Sequence, residues 1–176
     1  MFKILEISPD AVESEGHIAT AYLKVSNEEG EKFWCYCLYW RAYFPYCPKP
    51  SKWGIGEKLI KNLVGKEITS TFSFVNLEPV EKTNTKDKYI FQNPTTQTSD
   101  ATAISGKIIE TERYDQKDYK KKIGPDPKKY EKLIVDCKAA TVKVGVEKGK
   151  FLVGDFISCK KGMLNAYIIK VGDAVL

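Results

Sequence analysis

The residues best suited to binding chemistry form one lysine-rich stretch with tyrosines between the lysines. Residues 113–132 contain eight Lys or Arg against four acids, with three tyrosines interleaved. Lysines attract phosphates through a salt-dependent electrostatic interaction, and tyrosine rings offer faces on which nucleobases can stack. We therefore predict that this stretch, with the connection 147–150, binds single-stranded or structured nucleic acid without catalysis. The predicted binding residues are Arg113, Lys117, Tyr119, Lys120, Lys121, Lys122, Lys128, Lys129, Lys148 and Lys150.

The distribution of charge along the chain agrees with this prediction but allows a second interpretation. The net charge is +5: residues 1–100 hold 12 Lys or Arg against 13 acids, and residues 101–176 hold 16 against 10. A basic segment on a near-neutral remainder favours a polyanionic partner. Lysine is also a common surface residue. The alternative is therefore a solvated loop whose conformation is limited by Pro125 and Pro127.

A second candidate site is the proline-rich loop 46–53, at the end of the most aromatic part of the sequence. Aromatic side chains beside lysines on a stiffened loop suit the anchor of a protein–protein interface. The alternative function is therefore an adaptor or inhibitor that binds a protein partner through this loop. The loop could instead fold back as a lid, because tryptophan is highly buried on average. The partner-binding residues would be Tyr46, Lys49, Lys52 and Trp53.

The cysteines have a spacing that favours packing over metal binding. Cys35 and Cys37 would point to the same face of a strand, with Cα atoms about 7 Å apart, which suits packing better than a tetrahedral zinc site. Cys137 and Cys159 stand among apolar neighbours and are predicted to be small core residues. We therefore predict no metal ion and no cofactor.

Catalysis has little support in the sequence. The only histidine, His17, lies beside a turn glycine, and nothing but residue type suggests a catalytic pair with Cys47. No nucleophile elbow, phosphate loop, dinucleotide fingerprint or metalloprotease motif appears. The sequence assigns no catalytic residue, and an enzyme acting on a small substrate in a cleft between two halves of the chain is the third hypothesis.

The strand that organises the rest of the chain is predicted in the aromatic stretch 33–46. Eight of its 14 residues are aromatic, out of 21 in the whole chain, and both faces of its period-two pattern are apolar or aromatic. Such a strand belongs in the middle of a sheet, covered on both sides. The preceding strand, 18–25, pairs with it through a tight turn at 27–30. Further predictions are a strand at 2–7, a two-turn helix at 56–64 and a strand at 68–75 with Ile68, Phe72 and Phe74 inward.

A second series of short strands follows a polar, threonine-rich segment at 81–102, the candidate domain boundary. An apolar patch at 89–92 could dock as an edge strand, and the two parts would then form one domain. The later strands are predicted at 103–110, 133–137, 141–146, 151–158 and 164–171.

Five strands with a long insertion after the first resemble the OB-fold, a small five-stranded barrel that binds oligonucleotides and oligosaccharides. The resemblance is carried by the phrase from Gly149 to Ile157, followed by Lys160-Lys161-Gly162. It implies that the insertion 113–132 lies where such barrels commonly contact oligonucleotides.

These patterns predict a mainly β protein of two small antiparallel β-barrel or sheet subdomains with one short helix. The subdomains are 1–80, which has an aromatic core and the helix 56–64, and 103–176, which is OB-fold-like with the basic insertion 113–132. The polar linker 81–102 joins them. The N-terminus lacks the apolar core of a signal peptide, and no apolar run approaches the about 18 residues of a membrane helix. We therefore expect a cytoplasmic protein that does not associate with a membrane.

Overall fold

Eleven strands and one short helix are present in the computed structural model, which describes residues 1–12, 18–37, 64–172 and 174–175. The prediction of a mainly β protein is confirmed. The predicted helix 56–64 lies outside the described residues except for Val64, which is in a turn. In chain order the elements are β1 Phe2–Val12, β2 Ile18–Ser26, β3 Lys32–Cys37, β4 Glu67–Asn76, β5 Glu81–Lys82, β6 Tyr89–Phe91, β7 Thr102–Arg113, α1 Gln116–Lys120, β8 Tyr130–Asp136, β9 Thr141–Glu147, β10 Phe156–Val171 and β11 Ala174–Val175.

All these strands belong to one mixed sheet. Ten of them follow the order β11-β10-β3-β2-β1-β4-β9-β8-β7-β6, and β5 pairs with β10 beside this path. β10 also pairs with β4 and β7, so the hydrogen bonding closes into two rings that share the β4–β10 pair. The β3–β10 and β4–β9 pairs are parallel, and the others are antiparallel. The N-terminal and C-terminal parts of the sheet are therefore connected by β10, which pairs with β3 and β4, and by the β4–β9 pair.

The N-terminal strands form around the aromatic residues, as predicted. β2 and β3 pair in register across the turn, where the side-chain carboxamide oxygen of Asn27 accepts the backbone N–H groups of Glu29 and Glu31. β3 lies between β2 and β10, and its residues on both faces are buried or half-buried. Phe33 packs edge-to-face against Phe2 and Phe72, at centroid distances of 5.9 and 5.3 Å. The central, doubly covered strand is confirmed for this part of the stretch; its continuation at 38–46 lies outside the described residues.

The predicted linker 81–102 is hydrogen-bonded to strands of both parts of the chain. β5 pairs with β10, and β6 pairs with β7 at one end of the strand order, within the patch 89–92. Lys88 Nζ lies 2.6 Å from a carboxylate oxygen of Asp136 in β8, and this hydrogen bond, more than any other influence, lowers the pKa of Asp136. The division into subdomains 1–80 and 103–176 stays a prediction.

Gln92 makes the most unusual contact of this segment, because its side chain takes the place of a neighbouring strand beside Trp34. Its carboxamide oxygen accepts the backbone N–H of Trp34 at 2.7 Å. Its amide nitrogen donates to the backbone oxygen of Trp34 at 2.6 Å and to Thr102 Oγ1 at 2.9 Å. One side chain thus satisfies both backbone groups of a residue that is almost fully buried.

We expect Gln92→Ala to lower the free energy of unfolding by about 2–4 kcal/mol, because it leaves a buried N–H and a buried carbonyl without partners. Urea denaturation followed by far-ultraviolet circular dichroism measures this loss. The control is Gln97→Ala, since Gln97 is exposed on the same segment. Equal stability of the two variants would contradict the structural role of Gln92.

β10 differs from the sequence prediction, which placed separate strands at 151–158 and 164–171. The structure has a single strand of 16 residues instead. Its first half pairs with β7 and its second half with β4, and the change of partner occurs at Gly162. A Cβ on Gly162 would lie 2.6 Å from the backbone oxygen of Val75. The glycine therefore does not end a strand but allows close approach where the strand changes partners.

The described cysteines are core residues, as predicted. Cys35, Cys37, Cys137 and Cys159 are all buried. Burial raises the pKa of Cys35, and burial together with the nearby charge of Asp136 raises the pKa of Cys137 to about 12. The thiolate is the form that binds metals and attacks electrophiles, so the thiols of Cys35 and Cys137 are held in the unreactive form. Within the described ranges, no group of three or more Cys, His, Asp or Glu is arranged to hold a metal ion.

No helix in the part of the chain that the structure covers is both long and apolar enough to cross a membrane.

Candidate nucleic-acid interface

The basic insertion includes residues 114–129, which connect β7 to β8. These residues fold into the short helix α1 and a following turn. Asp115 caps α1, since its carboxylate accepts the backbone N–H of Lys117 at 2.6 Å. The helix ends at Lys120, and Lys122, two residues beyond it, adopts a left-handed conformation with a φ of 60°. Asp126 organises the turn before β8, because its side chain accepts the N–H of Lys128 and its backbone oxygen accepts the N–H of Tyr130. Two of the acids in this segment therefore bond to the backbone rather than to the lysine side chains.

The side chains predicted to bind nucleic acid are exposed on this framework. Tyr119 on α1 and Tyr130 at the start of β8 are 42% and 41% exposed, which is high for aromatic residues. None of the basic residues predicted in the insertion forms an ion pair with another residue that the structure describes. The exposed basic residues are Arg113, Lys117, Lys120, Lys121, Lys122, Lys128, Lys129, Lys148 and Lys150.

Backbone contacts bring the insertion and the connection 147–150 together. The backbone N–H of Lys148 donates to the backbone oxygen of Lys129 at 2.8 Å. The N–H of Gly149 donates to the carboxylate of Glu131 at 2.9 Å, and Tyr130 is the register partner of Glu147. We call the exposed surface of 113–131 and 147–150 the basic surface. Its two segments are separate in sequence, and the hydrogen bonds place them side by side.

A groove of about 370 Å³ runs across the outer face of the sheet next to the basic surface. The strand register explains its composition, because residues opposite each other on neighbouring strands share a face. Tyr167 of β10 lies opposite Thr71 of β4, and Ser73 of β4 lies beside Lys143 of β9. The inward residues of the same strands are apolar and buried. We call this feature the tyrosine groove. The residues that line it include Thr71, Ser73, Tyr114, Lys132, Lys143 and Tyr167.

Tyr114, the first residue after β7, lies over the tyrosine groove. A Cβ added to Gly145 would be 2.5 Å from the Tyr114 hydroxyl oxygen, so the glycine leaves the space that the phenol occupies. Lys132 Nζ is 4.9 Å from the centre of the Tyr114 ring, a cation–π contact. Tyr114 is half-buried, and burial raises its pKa, so the phenol stays protonated at neutral pH.

The lysines of the tyrosine groove share one acidic partner. Glu112 of β7, Lys132 of β8 and Gly145 of β9 form a row of register partners across three strands. Lys143 Nζ lies 2.8 and 2.9 Å from the two carboxylate oxygens of Glu112, whereas Lys132 Nζ lies 3.9 Å from the nearer one. Two ammonium groups thus face a single carboxylate, and the groove keeps a positive balance.

Sequence reasoning missed most of the tyrosine groove. Tyr114 and Lys132 lie within the predicted insertion but were not among its assigned binding residues, and Lys143, Gly145 and Tyr167 were not considered. The predicted inward positions Phe72 and Phe74 leave Thr71 and Ser73 on the outer face, where the structure has them. The parallel pairing of β4 with β9 brings together residues about 70 positions apart, and no local pattern announces it.

The alternative protein-interaction site at Tyr46, Lys49, Lys52 and Trp53 lies outside the described residues, as do His17 and Cys47. The protein-partner and enzyme hypotheses stay predictions.

Comparison with protein-family models, with curated proteins and with solved structures finds no match to this chain. The assignment of function rests on the chemistry and geometry of its residues.

Proposed function

We propose that this protein binds nucleic acid through the basic surface, without catalysis. The observation that carries the proposal is the hydrogen bond from Lys148 N–H to the Lys129 oxygen, which joins two lysine-rich segments into one exposed surface. Residues 113–132 hold eight basic residues against four acids, and residues 147–150 add two against one. Exposed lysines without acidic partners lose little on contacting phosphates and gain from the release of counterions.

A single-stranded ligand fits this surface better than a duplex. Tyr119 and Tyr130 expose aromatic rings among the lysines, and unstacked bases can pack on such rings whatever their sequence. A helix of five residues is too short to fill the major groove of DNA in the way that recognition helices do. We therefore expect a preference for single strands and only weak dependence on base sequence.

The OB-like architecture expected from the sequence is part of the same proposal. The ring β10-β4-β9-β8-β7 contains the four C-terminal strands β7, β8, β9 and β10, with the insertion after β7, and is completed by β4 from the N-terminal part. Binding through the loops of such a unit would follow the pattern of oligonucleotide-binding OB-folds.

Chemical footprinting tests where the ligand binds. Lysines would be acetylated at limiting reagent with and without a 20-nucleotide single strand, and modification at each lysine would be measured by mass spectrometry. We expect protection at Lys120, Lys121, Lys128, Lys129 and Lys148. The internal controls are Lys66, Lys86 and Lys161, which are exposed elsewhere and should react equally in both samples. Uniform modification of both sets at saturating oligonucleotide would contradict the proposed surface.

A further inference from the structure

We propose that the tyrosine groove is a binding site for one unpaired nucleobase of the strand held on the basic surface. This inference rests on the proposed function, and it adds a site with a defined ligand: a flat, hydrogen-bonding ring attached to an anionic backbone.

The shape and composition of the tyrosine groove suit a single nucleobase. Its volume, about 370 Å³, lies at the small end of the range for ligand sites and can accept a single base and its sugar. Tyr114 and Tyr167 supply aromatic surface, and both are only half-buried, so part of each ring is accessible. Thr71 and Ser73 line the floor between them with hydroxyl groups, which can donate or accept hydrogen bonds at a base edge.

The charge of the tyrosine groove suits a ligand with an anionic backbone. Lys132 and Lys143 border the groove, and Glu112 is the only acid paired with them in the described structure. Glu112 binds Lys143 with both carboxylate oxygens, so Lys132 is the lysine left with the longer, weaker acidic contact. An ammonium group beside an aromatic ring is the arrangement expected where a base stacks and its phosphate passes close by.

The tyrosine groove adjoins the basic surface along the chain. Tyr114 directly follows Arg113 and precedes α1, which carries Lys117 and Lys120. Lys132 is two residues beyond Tyr130 on β8, the β-strand that leads away from the basic surface. Tyr114 and Lys132 therefore belong to the groove and adjoin the basic lysines along the chain, so a bound nucleic-acid strand can pass from one to the other.

The decisive comparison uses two oligonucleotides of equal length, one with a base at every position and one with abasic sites at every position. Tyr114→Leu is the test variant, since it removes the ring face and keeps apolar bulk. Gly145→Val is a second test variant, because its side chain enters the space that the Tyr114 hydroxyl occupies. Tyr89→Leu is the control, because Tyr89 is exposed and belongs neither to the groove nor to the basic surface. Thermal denaturation establishes that each variant is folded.

We expect Tyr114→Leu and Gly145→Val each to weaken binding of the normal oligonucleotide about tenfold, from the loss of one stacked base. Binding of the abasic oligonucleotide should change less than twofold, and the salt dependence of binding should stay as in the unaltered protein. Salt-dependent binding in which neither variant distinguishes the two oligonucleotides would overturn the groove as a base site and leave the proposed function standing. Absence of binding by the unaltered protein to either oligonucleotide would overturn both.

Discussion

Replacing Lys120, Lys121 and Lys122 with Glu is expected to weaken single-stranded nucleic-acid binding at least about 100-fold. The substitutions change the charge of the basic surface by six units, at three side chains that point into solvent. The remaining lysines would then face a local acidic cluster that repels phosphates. Fluorescence anisotropy of a labelled oligonucleotide measures the loss.

Folding should be nearly unaffected by the same substitutions. The hydrogen bonds at this helix end are made by backbone atoms, such as the Lys122 N–H to the Tyr119 oxygen. Glutamate tolerates the left-handed conformation of Lys122 no worse than lysine does. Acidic residues near a helix C-terminus cost about 0.3–1 kcal/mol each at most. The melting temperature should therefore fall by only a few degrees.

The matched control places the same three charge reversals elsewhere, at Lys66, Lys86 and Lys161. These lysines are exposed and belong to neither segment of the basic surface. The control has the same net charge as the test variant, so any difference in affinity reports position. Equal affinities of the two triple variants would mean that binding depends on overall charge alone and that the basic surface is wrongly assigned.

Gly106→Ala is expected to have the largest effect on stability, a loss of about 3 kcal/mol or more in the free energy of unfolding. Gly106 is buried in β7 between β8 and β10. A Cβ at this position would overlap the backbone oxygen of Asp136 and lie 2.8 Å from Val135 Cγ1. The obstructing atom is backbone, so the methyl group can be accommodated only if β7 and β8 move apart.

Gly145→Ala is the matched control for this prediction. Gly145 also lies within a strand of the sheet, but its new Cβ would meet only the hydroxyl end of the Tyr114 side chain, which can move. We expect its cost to be below about 1 kcal/mol. Urea denaturation of both variants gives the comparison, and a Gly106→Ala midpoint equal to that of Gly145→Ala would contradict the close approach of β7 and β8.

The strands could be predicted because their patterns are local. Alternation in 68–75 placed Ile68, Phe72 and Phe74 inward, and all three are buried in β4. The aromatic residues of β3 indicated a central strand covered on both faces; β3 lies between β2 and β10 in the sheet, and residues 33–37 are buried or half-buried. The turn at 27–30 has the asparagine and glycine that a tight connection needs.

The long-range pairing could not be predicted from such patterns. Separate strands were predicted on the two sides of Gly162, at 151–158 and 164–171, but here the glycine permits β10 to continue past Phe74. The polarity of 81–102 suggested a linker, yet its residues use their polar groups to pair with strands, as Gln92 does with Trp34. A polar residue that satisfies buried backbone has the same sequence appearance as one that faces water.

The same distinction applies to the candidate site, whose local part could be predicted and whose long-range part could not. The lysines and Tyr119 of the insertion could be identified from composition, because adjacent residues in one loop stay near each other in space. The tyrosine groove could not, because it depends on the register that sets Ser73 beside Lys143 and Lys132 opposite Gly145.

The measurement that tests the central claim most directly is the affinity for labelled single-stranded RNA and DNA at about 50 mM and about 200 mM salt. If phosphates bind the basic surface, counterion release requires affinity in the micromolar range or tighter at the lower salt, and a loss of at least about tenfold at the higher. Absence of binding at the lower salt, or an affinity that does not change with salt, would contradict the assignment of this protein as a nucleic-acid binder.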